Sequence, residues 1–215
     1  MWSSTVRTAS KFGKRSSHHT VQSSEPTAVA ASKTIGSREI QAAIARLAAA
    51  ISARHPDPRR LLLLGIANGG IELACRLARL TGARAGVIDI SFHRDDIALR
   101  PIPKERAPTQ IPGEIGSATV ILVDDVLFTG RTIKAALDEL FDYDRPAQVE
   151  LAVLVDRGGR CLPFSANYAG FALPALESER VVVSLDTVSE KRDRIQVLPA
   201  AASPARPPAS DSPPR

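Results

Sequence analysis

The stretch Val120–Thr132 reads VILVDDVLFTGRT, and it decides the fold. Four consecutive apolar residues lead into two adjacent carboxylates, Asp124 and Asp125, and a Thr-Gly pair follows three residues later. A short continuous apolar run is typical of a strand buried on both faces, as in a parallel sheet covered by helices. In open α/β sheets, ligands bind beyond the carboxyl ends of the strands. The stretch therefore predicts that both carboxylates face solvent at the ligand-binding edge of such a sheet.

The residues after the two carboxylates suit a phosphate group. A helix is predicted over Arg131–Phe141, so Thr129 and Gly130 stand at its amino end, where free N–H groups and the helix dipole favour an anion. Gly130 allows close approach of the backbone, and the hydroxyl of Thr132 adds a donor. Acceptors for sugar hydroxyls beside donors for a phosphate indicate a sugar phosphate as the ligand. The same residues would also suit a plain turn that caps a helix, and no GxxxxGK sequence of a nucleotide P-loop occurs.

Strands and helices alternate on both sides of this stretch. The predicted strands are Leu61–Gly65, Gly86–Ser91, Val120–Asp124 and Val149–Val155, with shorter ones at Val181–Leu185 and Arg194–Leu198. The predicted helices are one capped by Ser37, one over Ile71–Leu80 and one over Arg131–Phe141. This alternation predicts an α/β fold, with an open, mostly parallel, twisted sheet and helices on both faces. The segment Ile97–Gly116 has four prolines and no apolar period, which predicts a small hood or flexible loop.

The ends of the chain differ from its body in composition. The chain has 215 residues and a net charge of +5, but Ser37–Leu198 holds 21 basic and 21 acidic residues, so the excess charge lies in the ends. Met1–Gly36 is basic and rich in Ser, and Pro199–Arg215 is rich in Pro and Ala, so neither can bury enough apolar surface to fold. We therefore predict one domain over residues 37–198 between disordered tails. The amino-terminal segment also has the composition of an organelle transit peptide.

The overall composition excludes several classes of protein. With 44% hydrophobic and 24% charged residues the chain is globular, and no apolar run reaches the roughly 18 residues of a membrane-spanning helix. Cys75 and Cys161 are too few for a disulfide scaffold, and no His/Cys cluster has the spacing of a structural zinc site. Few cysteines fit a reducing compartment, which predicts a cytoplasmic protein without membrane partners. Cys75 follows Leu73 and Ala74 on a predicted helix and is expected to be buried.

The whole string Val120–Thr132 matches the phosphoribosyl-diphosphate motif of the type I phosphoribosyltransferases. Further segments follow in the order of that family: GIANGGIELACRLA (65–78), IDISFHRDD (88–96), RPAQVELAVLVDRGGRCLP (145–163), ANYAGFALP (166–174) and SERVVVSLD (178–186). Within the family, the chain most resembles the bacterial pyrimidine operon attenuation regulators, which are also uracil phosphoribosyltransferases. The resemblance covers about Gly36 to Leu198.

The resemblance implies a role for each matching residue. Asp124 and Asp125 would hold the ribose hydroxyls of phosphoribosyl diphosphate, with Mg²⁺ bridging the sugar and the diphosphate. The 5′-phosphate would be bound by Leu127, Phe128, Thr129, Gly130, Arg131 and Thr132, and the diphosphate by a turn containing Asn68 and Gly69. The base pocket would contain Val126, Asp156, Arg157 and Tyr168, and Arg94, followed by Asp95 and Asp96, would take part in catalysis at the start of the hood.

The resemblance also implies a reaction and partners. Diphosphate would be displaced at C1 of the sugar through an oxocarbenium-like state, inside a site that the hood closes against water. The implied partners are a nucleobase, pyrimidine leader RNA and further copies of the chain in a homodimer or homotetramer.

Two segments depart from the pattern of the family. Where the family has Gly-Ile-Lys-Thr-Arg-Gly, this chain has Gly65–Gly70, with Ala67 and Gly69 in place of the two cationic residues, which predicts weakened diphosphate binding. Beside the base pocket, Gly159 replaces a histidine and Cys161 an acidic residue. Polar groups of a pocket decide which base enters, so the identity of the base stays open at this point.

Three functions fit the sequence. The first is a phosphoribosyltransferase that uses phosphoribosyl diphosphate and Mg²⁺, with uracil as the base and reduced activity. The second is a catalytically weak, nucleotide-sensing regulator that binds RNA. The third is a purine phosphoribosyltransferase, because the stretch Tyr168–Pro174 also resembles purine enzymes.

Overall fold

Five parallel strands form the main sheet of the molecule. The computed structural model describes residues 33–91 and 108–200. In chain order the elements are β1 (Thr34–Gly36), α1 (Ser37–Arg54), β2 (Leu61–Ile66), α2 (Gly70–Thr81), β3 (Arg84–Ile88), β4 (Thr119–Leu127), α3 (Arg131–Tyr143), β5 (Gln148–Asp156), β6 (Tyr168–Ala172), β7 (Glu179–Ser184) and β8 (Arg194–Pro199). The main sheet has the order β3-β2-β4-β5-β6, and each neighbouring pair is parallel. The predicted α/β class with a mostly parallel sheet is confirmed.

Helices cover both faces of this sheet because its strands are apolar on both sides. Successive side chains of a strand point to opposite faces, and all six residues of β2 are buried. Leu61 and Leu63 pack in one core with α1 and α2, whereas Leu62 and Leu64 pack in a second core with α3. Burying each leucine side chain contributes about 1.5–3 kcal/mol. The two cores fix the strand ends that carry the candidate site.

A separate three-stranded sheet packs into the core of α1 and α2. β1, β8 and β7 form it in that order, and both pairs are antiparallel. Ile35 of β1 pairs with Ile195 of β8, and both side chains are buried in this core. The late strands predicted near β7 and β8 are therefore confirmed, but they lie outside the parallel sheet. Because β1 belongs to this sheet, the folded body starts before the predicted boundary at residue 37.

Several element ends differ from the predicted ones. α1 begins at Ser37 itself, and the residue before it is Gly36, whose N–H donates to the Glu39 carboxylate at 3.4 Å. Ser37 is thus the first helical residue rather than the cap. β4 continues through Leu127 instead of ending at Asp124. β6 gives little sequence signal, because its sequence YAGFA lacks the β-branched residues that favour strands.

Cys75 lies on the exposed side of α2. The buried side of this helix contains Leu73, Ala74 and Leu77, whereas Cys75 is exposed. A residue two positions after Leu73 is rotated by about 200° around the helix axis, which turns it away from the core. The prediction that Cys75 is buried is therefore wrong.

Some predicted segments lie wholly or partly outside the described residues. They are the tails over 1–32 and 201–215, the residues Arg94, Asp95 and Asp96, and 97–107 of the predicted hood. The described end of the hood runs along β3, where the N–H of Gln110 donates to the Val87 carbonyl at 2.8 Å and the N–H of Val87 donates back at 2.9 Å. Within 33–91 and 108–200, no helix is long and apolar enough to cross a membrane.

Candidate active site

Two adjacent carboxylates lie near the end of β4. Asp124 is 6% exposed and Asp125 is half-buried, and the N–H of Asp125 donates to Oδ1 of Asp124 at 3.0 Å. Burial raises the pKa of Asp124 well above its usual range, and the charge of Asp125 raises it further. Burial also raises the pKa of Asp125. The prediction that both carboxylates face solvent is wrong for Asp124, because β4 runs on through Leu127 and keeps this residue inside the sheet.

The raised pKa of Asp124 predicts how stability depends on pH. A carboxyl with a higher pKa in the folded chain keeps a proton that the unfolded chain loses, so its contribution to stability falls as pH rises above about 4. We expect the free energy of unfolding to fall between about pH 4 and the raised pKa, and this fall to be smaller in Asp124→Asn, where Asp125 keeps its raised pKa. Urea titrations from about pH 4.5 to about pH 8 measure it.

The matched control for this measurement is Asp144→Asn. Asp144 is an exposed carboxylate that accepts a hydrogen bond from the N–H of Arg145 at 2.7 Å. The fall in the free energy of unfolding should persist in this variant, because Asp124 and Asp125 are unchanged in it. Parallel pH profiles for the wild type and Asp124→Asn would contradict the raised pKa.

The turn between β2 and α2 lies against Asp125. A Cβ atom on Gly69 would come within 2.6–2.8 Å of the Asp125 carboxyl group, and one on Gly70 within 1.9 Å of the Val123 carbonyl oxygen. The peptide bond between Ala67 and Asn68 is cis. Asn68 and Gly69 are exposed beside the carboxylate pair, which is the position that the predicted diphosphate turn requires. A side chain at position 69 would therefore have to displace the Asp125 carboxyl group.

The segment Leu127–Thr132, here called the phosphate loop, connects β4 to α3. Gly130 precedes the helix with φ of +90°, in the left-handed region that favours glycine. Oγ1 of Thr129 accepts a hydrogen bond from the N–H of Arg131 at 3.3 Å. The segment therefore does cap a helix, and it also presents the amino end of a 13-residue helix directly after the carboxylate pair. The interpretation as a turn before a helix is confirmed, and phosphate binding at this helix end stays a prediction.

A second segment, Gly158–Phe164, packs against the phosphate loop, and we call it the brace. The guanidinium of Arg160 donates to the carbonyl of Leu127 at 3.1 Å and to that of Phe128 at 2.9 Å. Arg160 was not among the predicted site residues. The signal that could have found it is a cation in the glycine-rich string DRGGR, directly after the buried strand β5.

Three of the predicted base-pocket residues lie at this edge. Val126 is half-buried on β4, between the carboxylates and the phosphate loop. Asp156 ends β5 level with Leu127, and its carboxylate lies 2.7 Å from Nη2 of Arg160. The buried guanidinium of Arg157 lies 3.7 Å from the ring centroid of Phe128 and donates to the carbonyls of Leu176 and Glu179.

Tyr168 points away from this edge. Its Cα is level with Ala152 of β5, which is level with Val123 of β4. The side chain is buried, and its hydroxyl donates to Oε2 of Glu150 at 2.7 Å. Glu150 lies two residues nearer the amino end of β5 than Ala152, so the ring reaches toward the opposite edge of the sheet. The structure therefore contradicts a role for Tyr168 in the base pocket.

Comparison with known proteins relates this geometry to a family. Residues 32–183 match the family model described as phosphoribosyl transferase domain. The chain belongs to the phosphoribosyltransferase family. It is 42% identical to "Bifunctional protein PyrR" of Roseiflexus sp. (strain RS-1) over 172 residues, which cover 77% of this chain and 93% of the relative. It is 47% identical to the protein of the same name from Deinococcus deserti over 156 residues, covering 68% and 84%.

Solved phosphoribosyltransferase structures are similar to this one. A hypoxanthine phosphoribosyl transferase from Trypanosoma cruzi is 26% identical with a TM-score of 0.58, covering 77% of this chain and 90% of that one. A hypoxanthine-guanine phosphoribosyltransferase from Bacillus anthracis is 20% identical with a TM-score of 0.57, covering 76% and 95%. At 20% identity the second likeness shows the shared fold alone.

In this phosphoribosyltransferase, most predicted site residues meet at one sheet edge. The structure brings together Asn68, Gly69, Asp124, Asp125, Val126, Leu127, Phe128, Thr129, Gly130, Arg131, Thr132, Asp156 and Arg157. Tyr168 is elsewhere, and Arg94 lies outside the described residues.

The donor set at this edge fits Mg²⁺. The ion prefers carboxylate oxygens and is usually bound by one or two carboxylates together with oxygens of a phosphate-bearing substrate. Asp124 and Asp125 supply two such carboxylates. Among the residues that the structure describes, no three His, Cys, Asp or Glu side chains form a metal site by themselves. Asp124 and Asp125 are thus the described residues that would hold such an ion.

Proposed function

We propose that this phosphoribosyltransferase transfers the phosphoribosyl group of phosphoribosyl diphosphate to uracil, forming uridine monophosphate and diphosphate. The observation that carries the proposal is that the carboxylates of Asp124 and Asp125 lie between the phosphate loop and the turn of residues 67–69, here called the glycine turn. The resemblance to regulators that are also uracil phosphoribosyltransferases supports uracil as the base. The PyrR relatives, at 42% and 47% identity, support the same assignment.

Each part of the edge would serve one part of the substrate. The carboxylates of Asp124 and Asp125 would accept hydrogen bonds from the ribose hydroxyls and stabilise positive charge at C1 as the bond to diphosphate breaks. N–H groups at the amino end of α3 would donate to the 5′-phosphate. Bound Mg²⁺ supplies neutralisation of the diphosphate. Arg94 and the hood, Ile97–Gly116, would close over the substrate and exclude water.

Turnover with different bases tests the proposal. The chain is mixed with phosphoribosyl diphosphate, Mg²⁺ and either uracil or hypoxanthine, and nucleotide formation and diphosphate release are followed. We expect uridine monophosphate from uracil and no product from hypoxanthine. Formation of inosine monophosphate instead would favour the purine enzyme. The stretch Tyr168–Pro174 that resembles purine enzymes begins with a side chain buried against Glu150, which speaks against that alternative.

A nucleotide-sensing RNA-binding regulator with weak turnover is the second candidate function. The turn without cations favours it, because Ala67 and Gly69 leave no cationic side chain there for the diphosphate, while the phosphate loop keeps its full sequence. Binding of a pyrimidine leader RNA that weakens with salt and strengthens with uridine nucleotide would support it. We also propose that the protein is cytoplasmic and that it forms a homodimer or a homotetramer. Sedimentation of the full chain tests the oligomeric state.

Restoring one cation in the turn should strengthen diphosphate binding. Ala67→Lys places an ammonium group where the family has lysine, at a half-buried position next to the exposed Asn68 and Gly69. One charge-assisted contact of about 1.4 kcal/mol lowers the Kd for diphosphate about tenfold. Calorimetric titration with diphosphate and Mg²⁺ measures the change, and Ala67→Gln, of similar length without the charge, is the matched control.

Gly69→Arg is expected to act in the opposite direction. Arginine stands at this position in the family, but here its Cβ would meet the Asp125 carboxyl at 2.6 Å. We therefore expect it to displace Asp125 and to weaken binding of phosphoribosyl diphosphate.

If Ala67→Lys and Ala67→Gln bind diphosphate equally well, the turn does not hold the diphosphate.

A further inference from the structure

Every nitrogen of the Arg160 guanidinium has an acceptor in the protein. Its Nε donates to the Phe164 carbonyl at 3.0 Å, and its Nη1 donates to the carbonyls of Leu127, Phe128 and Gly158 at 3.1, 2.9 and 3.3 Å. Its Nη2 lies 2.7 Å from the Asp156 carboxylate. A guanidinium has five N–H donors in a rigid fork, so contacts at all three of its nitrogens hold its plane. For Nη2, the described residues supply one acceptor, the Asp156 carboxylate.

The brace also donates hydrogen bonds to a third carbonyl of the phosphate loop. The N–H groups of Cys161 and Leu162 both donate to the Thr129 carbonyl at 3.0 Å. The carbonyls of Leu127, Phe128 and Thr129 are consecutive, and all three accept hydrogen bonds from the brace. The brace therefore orients the peptide groups that follow Phe128 and Thr129. It shares the one that follows Leu127 with the N–H of Arg157, which also donates to the Leu127 carbonyl at 3.0 Å.

That orientation decides where the loop N–H groups point. In a planar trans peptide the carbonyl and the following N–H point in opposite directions. Carbonyls of Leu127, Phe128 and Thr129 directed at the brace thus turn the N–H groups of Phe128, Thr129 and Gly130 away from it. Within the part of the chain that the structure describes, these three N–H groups have no acceptor. They stand free at the amino end of α3, where an anion binds.

We propose that Arg160, held by Asp156, is a positioning residue that aims the N–H groups of the phosphate loop at a phosphate monoester. This inference rests on the proposed function, because the monoester is the 5′-phosphate of the substrate. Arg160 acts through the loop backbone and does not touch the ligand. Asp156 then serves to hold Arg160, with one carboxylate oxygen on Arg160 and the other accepting from the N–H of Gly158 at 3.0 Å.

Calorimetry with two separate probes tests the proposal. Ribose 5-phosphate reports on the phosphate loop, and inorganic diphosphate with Mg²⁺ reports on the glycine turn. Arg160→Ala should raise the Kd for ribose 5-phosphate at least tenfold and change the Kd for diphosphate less than twofold. Arg160→Lys, which keeps a cation near the carbonyls, should recover part of the loss. The control is Arg192→Ala, which removes an arginine–aspartate pair with Asp186 at 3.1 Å on another loop and should change neither affinity.

The outcomes separate this proposal from the proposed function. If the wild-type chain does not bind ribose 5-phosphate, the proposed function fails first. If the wild type binds it and Arg160→Ala binds it equally well, Arg160 does not position the loop and the proposed function stands. An equal loss of affinity for both probes in Arg160→Ala would mean that Arg160 has a general structural role and would also overturn the proposal. Should Arg160→Ala fail to fold, Arg160→Lys and Asp156→Asn take its place in the test. Each should lose affinity for ribose 5-phosphate and keep its affinity for diphosphate.

Discussion

Replacing Asp124 and Asp125 together by asparagine is expected to abolish binding of phosphoribosyl diphosphate while the domain stays folded. Asparagine keeps an oxygen that can accept the 3.0 Å hydrogen bond from the N–H of residue 125, and it removes the buried charge of Asp124. The variant loses both anionic acceptors for the ribose hydroxyls and the oxygens that fit Mg²⁺. We expect kcat/KM to fall at least a thousandfold, equivalent to about 4 kcal/mol of transition-state stabilisation.

The thermal stability of this variant separates a site effect from unfolding. Because burial raises the pKa of Asp124, removing its carboxyl relieves the cost of ionising a buried group, and Tm at neutral pH should be equal or higher. Calorimetric titration with phosphoribosyl diphosphate and Mg²⁺ gives the affinity, and Asp144→Asn is again the matched control. Unchanged affinity in the folded double variant would contradict the site. A large drop in Tm would mean that the carboxylates are structural, and the single variant Asp125→Asn would then measure binding.

The second large effect is expected at Glu150, on stability rather than on activity. Its side chain is 1% exposed and accepts from the Tyr168 hydroxyl at 2.7 Å and from Nε2 of His55 at 2.9 Å. Arg54 approaches it at 3.0 Å and Gln148 donates at 2.8 Å. Glu150→Ala leaves the buried Tyr168 hydroxyl and the mostly buried His55 ring without their shared acceptor, at a cost of about 1–3 kcal/mol each, whereas the half-exposed Arg54 can turn to water. In a domain of this size we expect Tm to fall by about 10 °C.

Two milder variants control for this loss. Glu150→Gln keeps the shape and one acceptor oxygen, so it should destabilise the chain less than Glu150→Ala. Tyr168→Phe removes one hydrogen bond to the carboxylate, and we expect it to cost about 1–3 kcal/mol. Neither should change the KM for the base, because Tyr168 reaches away from the carboxylate edge. A changed preference between uracil and hypoxanthine in Tyr168→Phe would show that Tyr168 belongs to the base pocket after all.

The sequence alone was sufficient for the features that consecutive residues determine. The apolar run of β4, the two carboxylates and the start of α3 all lie within Val120–Thr132, so a local pattern predicts the strand, the phosphate loop and their order. The alternation of apolar strands and helices likewise predicts a parallel sheet covered on both faces, because burial on two sides demands continuous apolar strands. These predictions depend on spacing along the chain and need no knowledge of distant contacts.

Only the tertiary structure decided which side chains meet across the chain. Gly69 lies against Asp125, Arg160 holds the carbonyls of the phosphate loop, and Tyr168 donates to Glu150 instead of facing a base. The pairing of β1 with β8 and the burial of Asp124 belong to the same class. Each depends on strand register and on the direction of a side chain between segments far apart in sequence. Composition and periodicity carry no information on either, because they describe a residue relative to its own element and not to the elements packed against it.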